Sequence, residues 1–508
     1  MDVGHRTNEA KAESDVKAVA GKKRNFNRAK IWQIGFFAAN NTATNAYMFL
    51  MMNVAYFATG VVGLGTVIVS TVITGSRIFD GFTDPVIGMW IDKTNGKFGK
   101  FRPFMVGGYL LMTVVMLLLF FTNQLVPDAM KLPYFIGLYA LYIIGYTFQT
   151  AVTKSGQSVI TSDPEQRPIF STFDISMTSI FFAGIGIYLA NYLVPKYGGW
   201  NSEALFYEFA LTFIVFSGIL TTLAVIGIWS KDRPEFFGTG EVVKITFKDM
   251  WQILKGNRPL QMLVVAASTD KLGQQVATNS IVMVMLFGIV IGDYGLFGVL
   301  SGIMLIPNVI IAIFGTRIAA KFGTKQGYIL ATWASIAAFV GMFLLIVLGD
   351  PGAIAMDNWG FMTISFVTLY VVGNGVRTLS GGLVIPMIPD VTDYETYKSG
   401  RYAPGVMGTI FSFVDKMISS LAQTVIGFTL AYIGFEQIFP DVDTPYTSEI
   451  LWVTMFLFIG ILLFAWIASL IAMKFYDLDK EKMLMIQNEL QDRKDEVLAK
   501  KEKAKENQ

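Results

Sequence analysis

Cysteine is absent from the 508-residue sequence, and histidine occurs once, as His5. The lack of cysteine excludes disulfide bonds, thiol catalysis and cysteine-based metal sites. Because the one histidine lies in the polar amino-terminal tail, no imidazole can relay protons inside a membrane, and intramembrane proton transfer must use carboxylates. The sequence has no P-loop and no recognisable nucleophile–base pair, so we expect neither an enzyme nor a bound cofactor.

Charged residues are also scarce. They make up 15% of the chain and hydrophobic residues 53%, whereas an average soluble domain has about 25% charged residues. This composition is typical of a polytopic membrane protein, because a bilayer span requires roughly 20 predominantly apolar residues. Twelve apolar runs meet that requirement, at approximately 31–59, 64–91, 103–122, 133–161, 168–194, 204–229, 259–290, 295–317, 326–348, 358–389, 404–434 and 447–475.

Basic residues are concentrated in the connections on one side of these runs. That side includes both tails and residues such as Lys93 and Arg102, whereas the other side carries only Lys131 and Lys196. Cytoplasmic loops of membrane proteins are enriched in lysine and arginine. We therefore predict a multi-pass protein of the cell inner (cytoplasmic) membrane with both termini in the cytoplasm.

The runs fall into two groups of six that echo each other. The motif KFGK at Lys97–Lys100 follows the second run, and KFGTK at Lys321–Lys325 follows the eighth. Internal repeats of six helices mark the major-facilitator architecture, whose substrate site lies near the midplane between the repeats. We predict an all-α membrane protein with the major facilitator fold, built from 12 transmembrane helices as two six-helix bundles. The predicted parts are a cytoplasmic tail at 1–30, bundles at 31–229 and 259–475, a cytoplasmic loop at 230–258 between them, and a charged cytoplasmic tail at 476–508.

The carboxy-terminal tail mixes apolar residues with dense, alternating charges. Its apolar residues are Leu484, Ile486, Leu490, Val497 and Leu498. This pattern favours a helix with a solvated face. We expect an undocked polar tail in the cytoplasm, with a docking role as the alternative.

Two carboxylates, Asp80 and Asp84, lie inside the second apolar run. Their spacing of four places them on one face of a helix. A carboxylate at bilayer depth costs a few kcal/mol, and two like charges this close resist joint ionisation unless a cation or a proton lies between them. The pattern indicates a cation site inside a transporter. Arg77, one turn earlier, is either their counter-charge when the cation leaves or a permanent structural partner.

The sequence around these carboxylates resembles a known family. RIFDGFTDPVIG at Arg77–Gly88, followed by KFGKFRP, is similar to the glycoside–pentoside–hexuronide:cation symporters, the melibiose permease group of the major facilitators. Further similar elements within residues 30–475 are Tyr146–Thr147, Asp390–Arg401 and Val414–Ser420. The resemblance implies a secondary active transporter that carries a sugar, glycoside or uronide with a cation by alternating access. The implied partners are that substrate and the lipid bilayer, with no nucleic acid, and the transporter is expected to function as a monomer.

Carried over by this resemblance, the cation site consists of Asp80, Thr83, Asp84 and Thr147. Arg77 and Lys416 have coupling roles. The coupling ion is Na⁺, Li⁺ or H⁺, because hard cations prefer oxygen ligands and a carboxylate pair can equally hold a proton. Na⁺ would bind at Asp80 and Asp84. An uncoupled exchanger or exporter of acidic sugar metabolites is the alternative.

The sugar site of that family matches less well. Acidic and aromatic positions of the family fall on Asn40, Thr150 and Lys154, and its arginine of the fifth run falls beside Asp174. Basic groups near the expected cavity favour an acidic sugar, with a neutral glycoside as the alternative and internal charge pairing as the structural explanation. Asn41 and Asn45 lie on one helix face, where their amides could bind sugar hydroxyls. The predicted substrate-binding residues are Asn40, Asn41, Asn45, Thr150, Lys154, Asp174, Arg377 and Lys416.

Overall fold

The computed structural model describes residues 27–94, 96–161, 166–236, 247–304, 306–307, 310–311, 321–399, 404–490 and 492–493. These residues are almost wholly helical and contain no strand, only the isolated bridges Gly96–Gly99 and Ala355–Asn358. Helices suit the apolar runs because lipid offers no hydrogen-bond partners, and a helix pairs each backbone N–H and C=O within its own segment. The helices are α1 (Ile31–Met52, continued by Val54–Tyr56 and the π-helical Phe57–Val61), α2 (Thr66–Lys93), α3 (Arg102–Thr122), α4 (Asp128–Ser155), α5 (Arg167–Tyr188, continued by the π-helical Leu189–Leu193), α6 (Glu203–Ile228), α7 (Phe247–Gly256), α8 (Arg258–Ala277), α9 (Ser280–Met283, continued by the π-helical Val284–Val290), α10 (Tyr294–Ile303), α11 (Thr324–Leu348), α12 (Phe361–Ser399), α13 (Pro404–Ser419), α14 (Leu421–Tyr432) and α15 (Ser448–Met455, continued by the π-helical Phe456–Gly460 and by Ile461–Phe475).

Each of the twelve predicted apolar runs contains a described helix. Within the described residues, seven helices are long and apolar enough to cross a membrane, and α8 with α9 makes an eighth if this pair, bent by 51°, is one span. The number twelve itself therefore remains a prediction.

The helices pack in two groups, which we name the N-half (31–229) and the C-half (259–475). In the N-half α1 packs on α6 and α3 on α4, and in the C-half α11 packs on α12 and α8 on α15. The halves meet where α2 packs on α13 and α14 and where α5 packs on α10. The limits of the two bundles remain a prediction.

The first helical stretch of each half ends in the same way. Gly63 and Gly292 both have positive φ, 84° and 82°, a conformation that glycine adopts without steric cost. On either side of Gly63, Val62 N–H donates to Phe57 O, five residues earlier, and Leu64 N–H donates to Ala58 O, six residues earlier. The same two bonds flank Gly292: Ile291 N–H donates to Leu286 O, and Asp293 N–H donates to Phe287 O. The two halves are thus built on a repeated element.

Two faces of the molecule carry the chain ends and the loops that join the last helices of each half. The face with residues 27–30 and 476–490 is the terminal face, and the face with residues 197–203 and 433–447 is the opposite face. At the opposite face the halves are bonded directly: Tyr56 Oη donates to Pro440 O at 3.0 Å, and Thr66 N–H donates to Glu436 O at 2.9 Å. Asp441 of the C-half accepts from the backbone N–H of Trp200 at 2.7 Å and of Asn201 at 3.0 Å. This face is closed.

A glycine permits that contact. Gly199 has φ of 131°, and a Cβ there would lie 2.7 Å from Asp441 Oδ2. A side chain at this position would therefore strain the backbone and collide with the carboxylate. The loop after α5 needs glycine to let Asp441 approach.

The carboxy-terminal tail docks on the C-half, which corrects the prediction of an undocked tail. Residues 480–490 are helical, and Tyr476 and Ile486 are fully buried in a cluster with residues of α8 and α12. Lys480 Nζ also donates to Lys321 O at 2.9 Å. The prediction was wrong because Leu478, Met483, Ile486 and Leu490 gather on one face while Leu484 stays 51% exposed. Val497 and Leu498 lie outside the described residues.

Candidate cation and substrate site

A lysine from the C-half lies between two carboxylates of the N-half. Asp80 and Asp84 lie one turn apart on α2, and Lys416 of α13 places its Nζ 3.1 Å from Asp80 Oδ2 and 2.5 Å from Asp84 Oδ2. The Asp80 side chain is 5% exposed, whereas those of Asp84 and Lys416 are 36% and 31% exposed. The ammonium group takes the position between the carboxylates that a bound cation would need, and it ties the two halves together there.

Two threonines complete this cluster. Thr147 of α4 is buried, and its Oγ1 donates to Asp80 Oδ1 at 3.1 Å. Thr83 Oγ1 donates to Asp80 O at 3.0 Å and lies 3.5 Å from Thr147 Oγ1. The structure therefore brings together all four residues predicted for the cation site. Carboxylate and hydroxyl oxygens suit a hard monovalent cation or a proton.

The cluster holds two acidic side chains, and nowhere among the described residues do three or more acidic, histidine or cysteine side chains form a group that could bind a metal ion.

Arg77 borders the same region but does not pair with the carboxylates. A cavity of about 110 Å³ is lined by Arg77, Asp80 and Lys416 and by polar side chains of α8, α13 and α14. Arg77 interacts electrostatically with Asp80 and with the tyrosines of α4, Tyr139, Tyr142 and Tyr146. Within the described residues Lys416, rather than Arg77, is the ion-pair partner of Asp80 and Asp84.

The structure separates Asn40 from Asn41, although both were predicted to bind sugar. Asn40 is fully buried, and its Nδ2 donates to Gln149 O at 3.2 Å and Thr153 Oγ1 at 2.7 Å, both on α4. Asn41 points elsewhere and donates to Asp174 Oδ1 of α5 at 2.8 Å. Asn45 is half-buried. Asn40 thus holds α1 against α4, while Asn41, Asn45 and Asp174 stay partly accessible.

Thr150 and Lys154 continue the face of α4 that carries Thr147. Thr150 Oγ1 donates to Thr147 O at 3.3 Å, and Lys154 is exposed. Seven residues separate Lys154 from Thr147, about 10 Å along a helix axis. Lys154 therefore lies nearer the terminal face than the cation cluster does.

Arg377 of α12 lies inside the C-half. Its Nε is buried without a hydrogen-bond partner, and it interacts electrostatically with Asp270 and Tyr370. Asp270 is itself held by Trp466 Nε1 at 2.9 Å and Gln274 Nε2 at 3.2 Å. Neither Arg377 nor Lys154 is among the residues that line the cavity beside the cation cluster.

Sequence reasoning missed the amide side of this cavity. Gln275 and Asn279 of the α8–α9 segment and Gln423 of α14 line it, with Ser419 and Ser420. The available signal was the group of five polar residues within Gln274–Ser280, inside an apolar stretch. Such side chains at bilayer depth are rare unless they meet a partner or a cavity.

Comparison with known proteins agrees with this geometry. Residues 34–480 match the family model described as MFS/sugar transport protein. The chain belongs to this family. It is therefore a multi-pass membrane protein of a transporter family, and the all-helical, two-part arrangement is the major facilitator fold.

Individual relatives in the MFS/sugar transport family are distant. The chain is 23% identical over 470 residues to an uncharacterized symporter, YnaJ, of Bacillus subtilis (strain 168), covering 91% of this chain and 94% of that protein. It is 24% identical over 425 residues to the glucuronide carrier protein homolog of Escherichia coli (strain K12), covering 82% and 85%. The crystal structure of the nucleoside transporter NupG superposes with a TM-score of 0.58 at 12% identity, over 88% of this chain and 99% of that one. That structural likeness concerns the fold alone.

Proposed function

We propose that the protein is a cation-coupled sugar symporter whose cation binds at Asp80, Thr83, Asp84 and Thr147. The observation that supports this most directly is the position of Lys416, whose ammonium group lies between two carboxylates of the other half. A sodium ion, lithium ion or proton at these carboxylates neutralises the charge that now holds Lys416. Cation binding therefore competes with an ionic contact between the halves.

This competition gives a coupling mechanism. When the cation displaces Lys416, the contact between α2 and α13 is broken and the ammonium group becomes available to the adjoining cavity. A sugar bound there then contacts both halves and replaces the lost contact. Because binding free energies are reciprocal, the sugar raises the affinity for the cation by the same factor.

The charges around the cavity favour an acidic sugar over a neutral glycoside. Asp80 and Asp84 balance Arg77 and Lys416, so a bound monovalent cation leaves an excess positive charge in a largely buried site. A carboxylate or another anionic substituent on the sugar would neutralise it, and guanidinium and ammonium groups bind such anions well. We assign the anion to Arg77 and Lys416, which line the cavity, rather than to Lys154 or Arg377.

The positive-inside rule places the terminal face in the cytoplasm. The closed opposite face then lies outside, and the structure corresponds to a state closed to the exterior. Alternation would require the bonds of Tyr56, Thr66 and Asp441 to the partner half to open.

Transport by Asp84→Asn in proteoliposomes tests the proposal. The wild-type protein should accumulate methyl glucuronide against its gradient when Na⁺, Li⁺ or H⁺ is supplied outside, and the ion that drives accumulation is the coupling ion. Asp84→Asn should lose accumulation while retaining exchange across equal sugar concentrations. Asp128→Asn is the matched control, because Asp128 is an exposed carboxylate at the start of α4 that pairs with Lys131 at 2.9 Å and lies nineteen residues before Thr147. Accumulation by Asp84→Asn at the wild-type level would contradict the cation site, and sugar binding without any cation dependence would favour an uncoupled exchanger.

A further inference from the structure

A helical segment of the C-half is interrupted beside the cavity. Helix α8 ends at Ala277 and α9 begins at Ser280, with a bend of 51° between them. Asn279 caps the second piece, since its side chain accepts from Ile281 N–H at 3.0 Å. Non-helical backbone at membrane depth is tolerated where it is buried in protein or lines a cavity, and broken helices in transporters commonly form substrate sites.

An amide beside this break lacks a partner. Asn279 Nδ2 donates to Gln423 Oε1 at 2.8 Å, which leaves the other end of the Gln423 amide turned away from Asn279. Gln423 is 8% exposed, and its Nε2 is buried without a hydrogen bond. An unsatisfied buried donor costs about 1–3 kcal/mol, so this group is set to receive an acceptor from a molecule in the cavity that it lines.

Neighbouring groups make the cavity suited to hydroxyls. Gln275 lines the same cavity and makes no hydrogen bond to another described residue. Ser419 and Ser420 lie on the same side, and their hydroxyls already donate to carbonyls of their own helix, Lys416 O and Met417 O, so their oxygens remain acceptors. Amides offer both donors and acceptors, which is what a ring of vicinal hydroxyls requires. The cavity of about 110 Å³ far exceeds the roughly 10–15 Å³ that one water needs.

We propose that Gln275, Asn279 and Gln423 form a hydroxyl-recognition subsite for one sugar ring, opposite the cation cluster. The Gln423 amide bonds one specific ring hydroxyl, and Asn279 fixes the orientation of that amide. Different groups thus bind the charged and uncharged parts of the substrate. Arg77 and Lys416 bind the anionic substituent, and the amides of the C-half bind the ring. The subsite rests on the proposed function, because it names what reads the sugar in the same cavity.

The decisive experiment pairs side chains with sugar hydroxyls. Binding of methyl glucoside and methyl glucuronide, and of derivatives lacking one ring hydroxyl at a time, is measured by thermal stabilisation with and without Na⁺. Gln423→Ala should weaken binding of the complete sugar about tenfold or more, as expected for one lost hydrogen bond in a buried site. The derivative that lacks the partner hydroxyl should bind wild type and Gln423→Ala equally, because the contact is already missing.

Two further variants keep the outcome interpretable. Gln275→Ala removes no hydrogen bond within the described protein and should weaken sugar binding without loss of fold, which covers the case in which Gln423→Ala does not fold. Thr278→Ala is the control, because Thr278 lies in the same break, is exposed, and bonds only to Gln274 O of its own helix. Its sugar affinity should equal that of wild type.

The subsite and the transport function fail differently. If the wild-type protein binds a glycoside in a Na⁺-dependent manner but Gln423→Ala and Gln275→Ala leave affinity unchanged, or weaken all deoxy derivatives by one common factor, the subsite is overturned and the symporter stands. If the wild-type protein responds to neither glycoside, the proposed function falls and the subsite falls with it.

Discussion

Replacing Lys416 by glutamine should increase the affinity for the coupling cation in the absence of sugar. Lys416 Nζ lies 3.1 Å from Asp80 Oδ2 and 2.5 Å from Asp84 Oδ2, so a cation has to displace the ammonium group before it can bind both carboxylates. Glutamine keeps most of the side-chain volume and removes the charge. The carboxylates are then left with no competing positive charge between them.

The size of the effect follows from the geometry. At an effective dielectric constant of about 20, two charges roughly 3 Å apart interact by about 5 kcal/mol, which is an upper limit here because Asp84 and Lys416 are each about one-third exposed and solvent screens them. Breaking a fully buried pair costs about 3–5 kcal/mol. We therefore expect about 1.5–3 kcal/mol of competition to be removed, which corresponds to a cation Kd lower by roughly tenfold to a hundredfold.

The assay is thermal unfolding of the purified protein over a Na⁺ titration. Without Na⁺, Lys416→Gln should melt below wild type because Asp80 and Asp84 repel each other. At high Na⁺ its stabilisation should exceed that of wild type by about 1.4 kcal/mol for each tenfold gain in affinity. Coupling should be lost, since sugar binding no longer depends on release of the ammonium group.

Lys474→Gln is the matched control, because Lys474 is an exposed lysine at the end of α15 that does not line the cavity beside the cluster. It should titrate like wild type. Equal Na⁺ affinity in Lys416→Gln and wild type would refute competition between the lysine and the cation.

Two further predictions concern regions away from the cluster. Burial raises the pKa of Asp441, and the negative charge of Asp443 acts in the same direction. The closed form of the opposite face therefore binds a proton more tightly than an open form does. The closed form is stabilised as the pH falls through that pKa and destabilised as the pH rises through it. Spin labels on cysteines introduced at Ala204 and Tyr446 should therefore report a longer mean distance at about pH 7.5 than at about pH 4, near the ordinary pKa of a carboxyl group. Asp441→Asn should abolish the difference, and a distance that lengthens on acidification would contradict this sign. In the tail, Ile486→Ala should lower the free energy of unfolding by about 2–4 kcal/mol because Ile486 is fully buried. Leu484→Ala is the control at an exposed position and should change the free energy of unfolding by less than about 0.5 kcal/mol. Equal effects of the two substitutions on thermal unfolding would mean that the tail does not dock.

The residues that sequence reasoning placed together were those separated by a helical repeat or marked by charge. Asp80, Thr83 and Asp84 share one helix, so their proximity follows from helix geometry alone. Charges in an apolar run are rare enough to be informative. The contact of Lys416 with these carboxylates was not predicted: the family resemblance gave Lys416 coupling and substrate-binding roles only, and nothing in the spacing of α2 and α13 requires the contact.

The amide side of the cavity could not be predicted in the same way. The break between α8 and α9 falls at Thr278 and Asn279, with neither proline nor glycine to mark it. Which of two adjacent asparagines faces a neighbour depends on packing, because consecutive residues differ by about 100° around a helix. Asn40 turned to α4 and Asn41 to α5, a division that only the tertiary arrangement decides.

The repeated helix ends at Gly63 and Gly292 allow equivalent positions of the two halves to be compared. Measured back from those glycines, α1 is interrupted at Asn53, ten residues earlier, whereas the C-half is interrupted at Asn279, thirteen residues earlier. The displacement of three residues is about one helical turn. The two halves are therefore unequal copies of one unit. In the C-half the interruption lies one turn nearer the centre and carries Asn279, whose amide bonds Gln423 beside the cavity, whereas the N-half carries its charges on the next helix, α2. If the two halves exchange conformations during transport, their interruptions do not superpose but differ by about one helical turn. Different side chains would therefore face the ligand in the two access states.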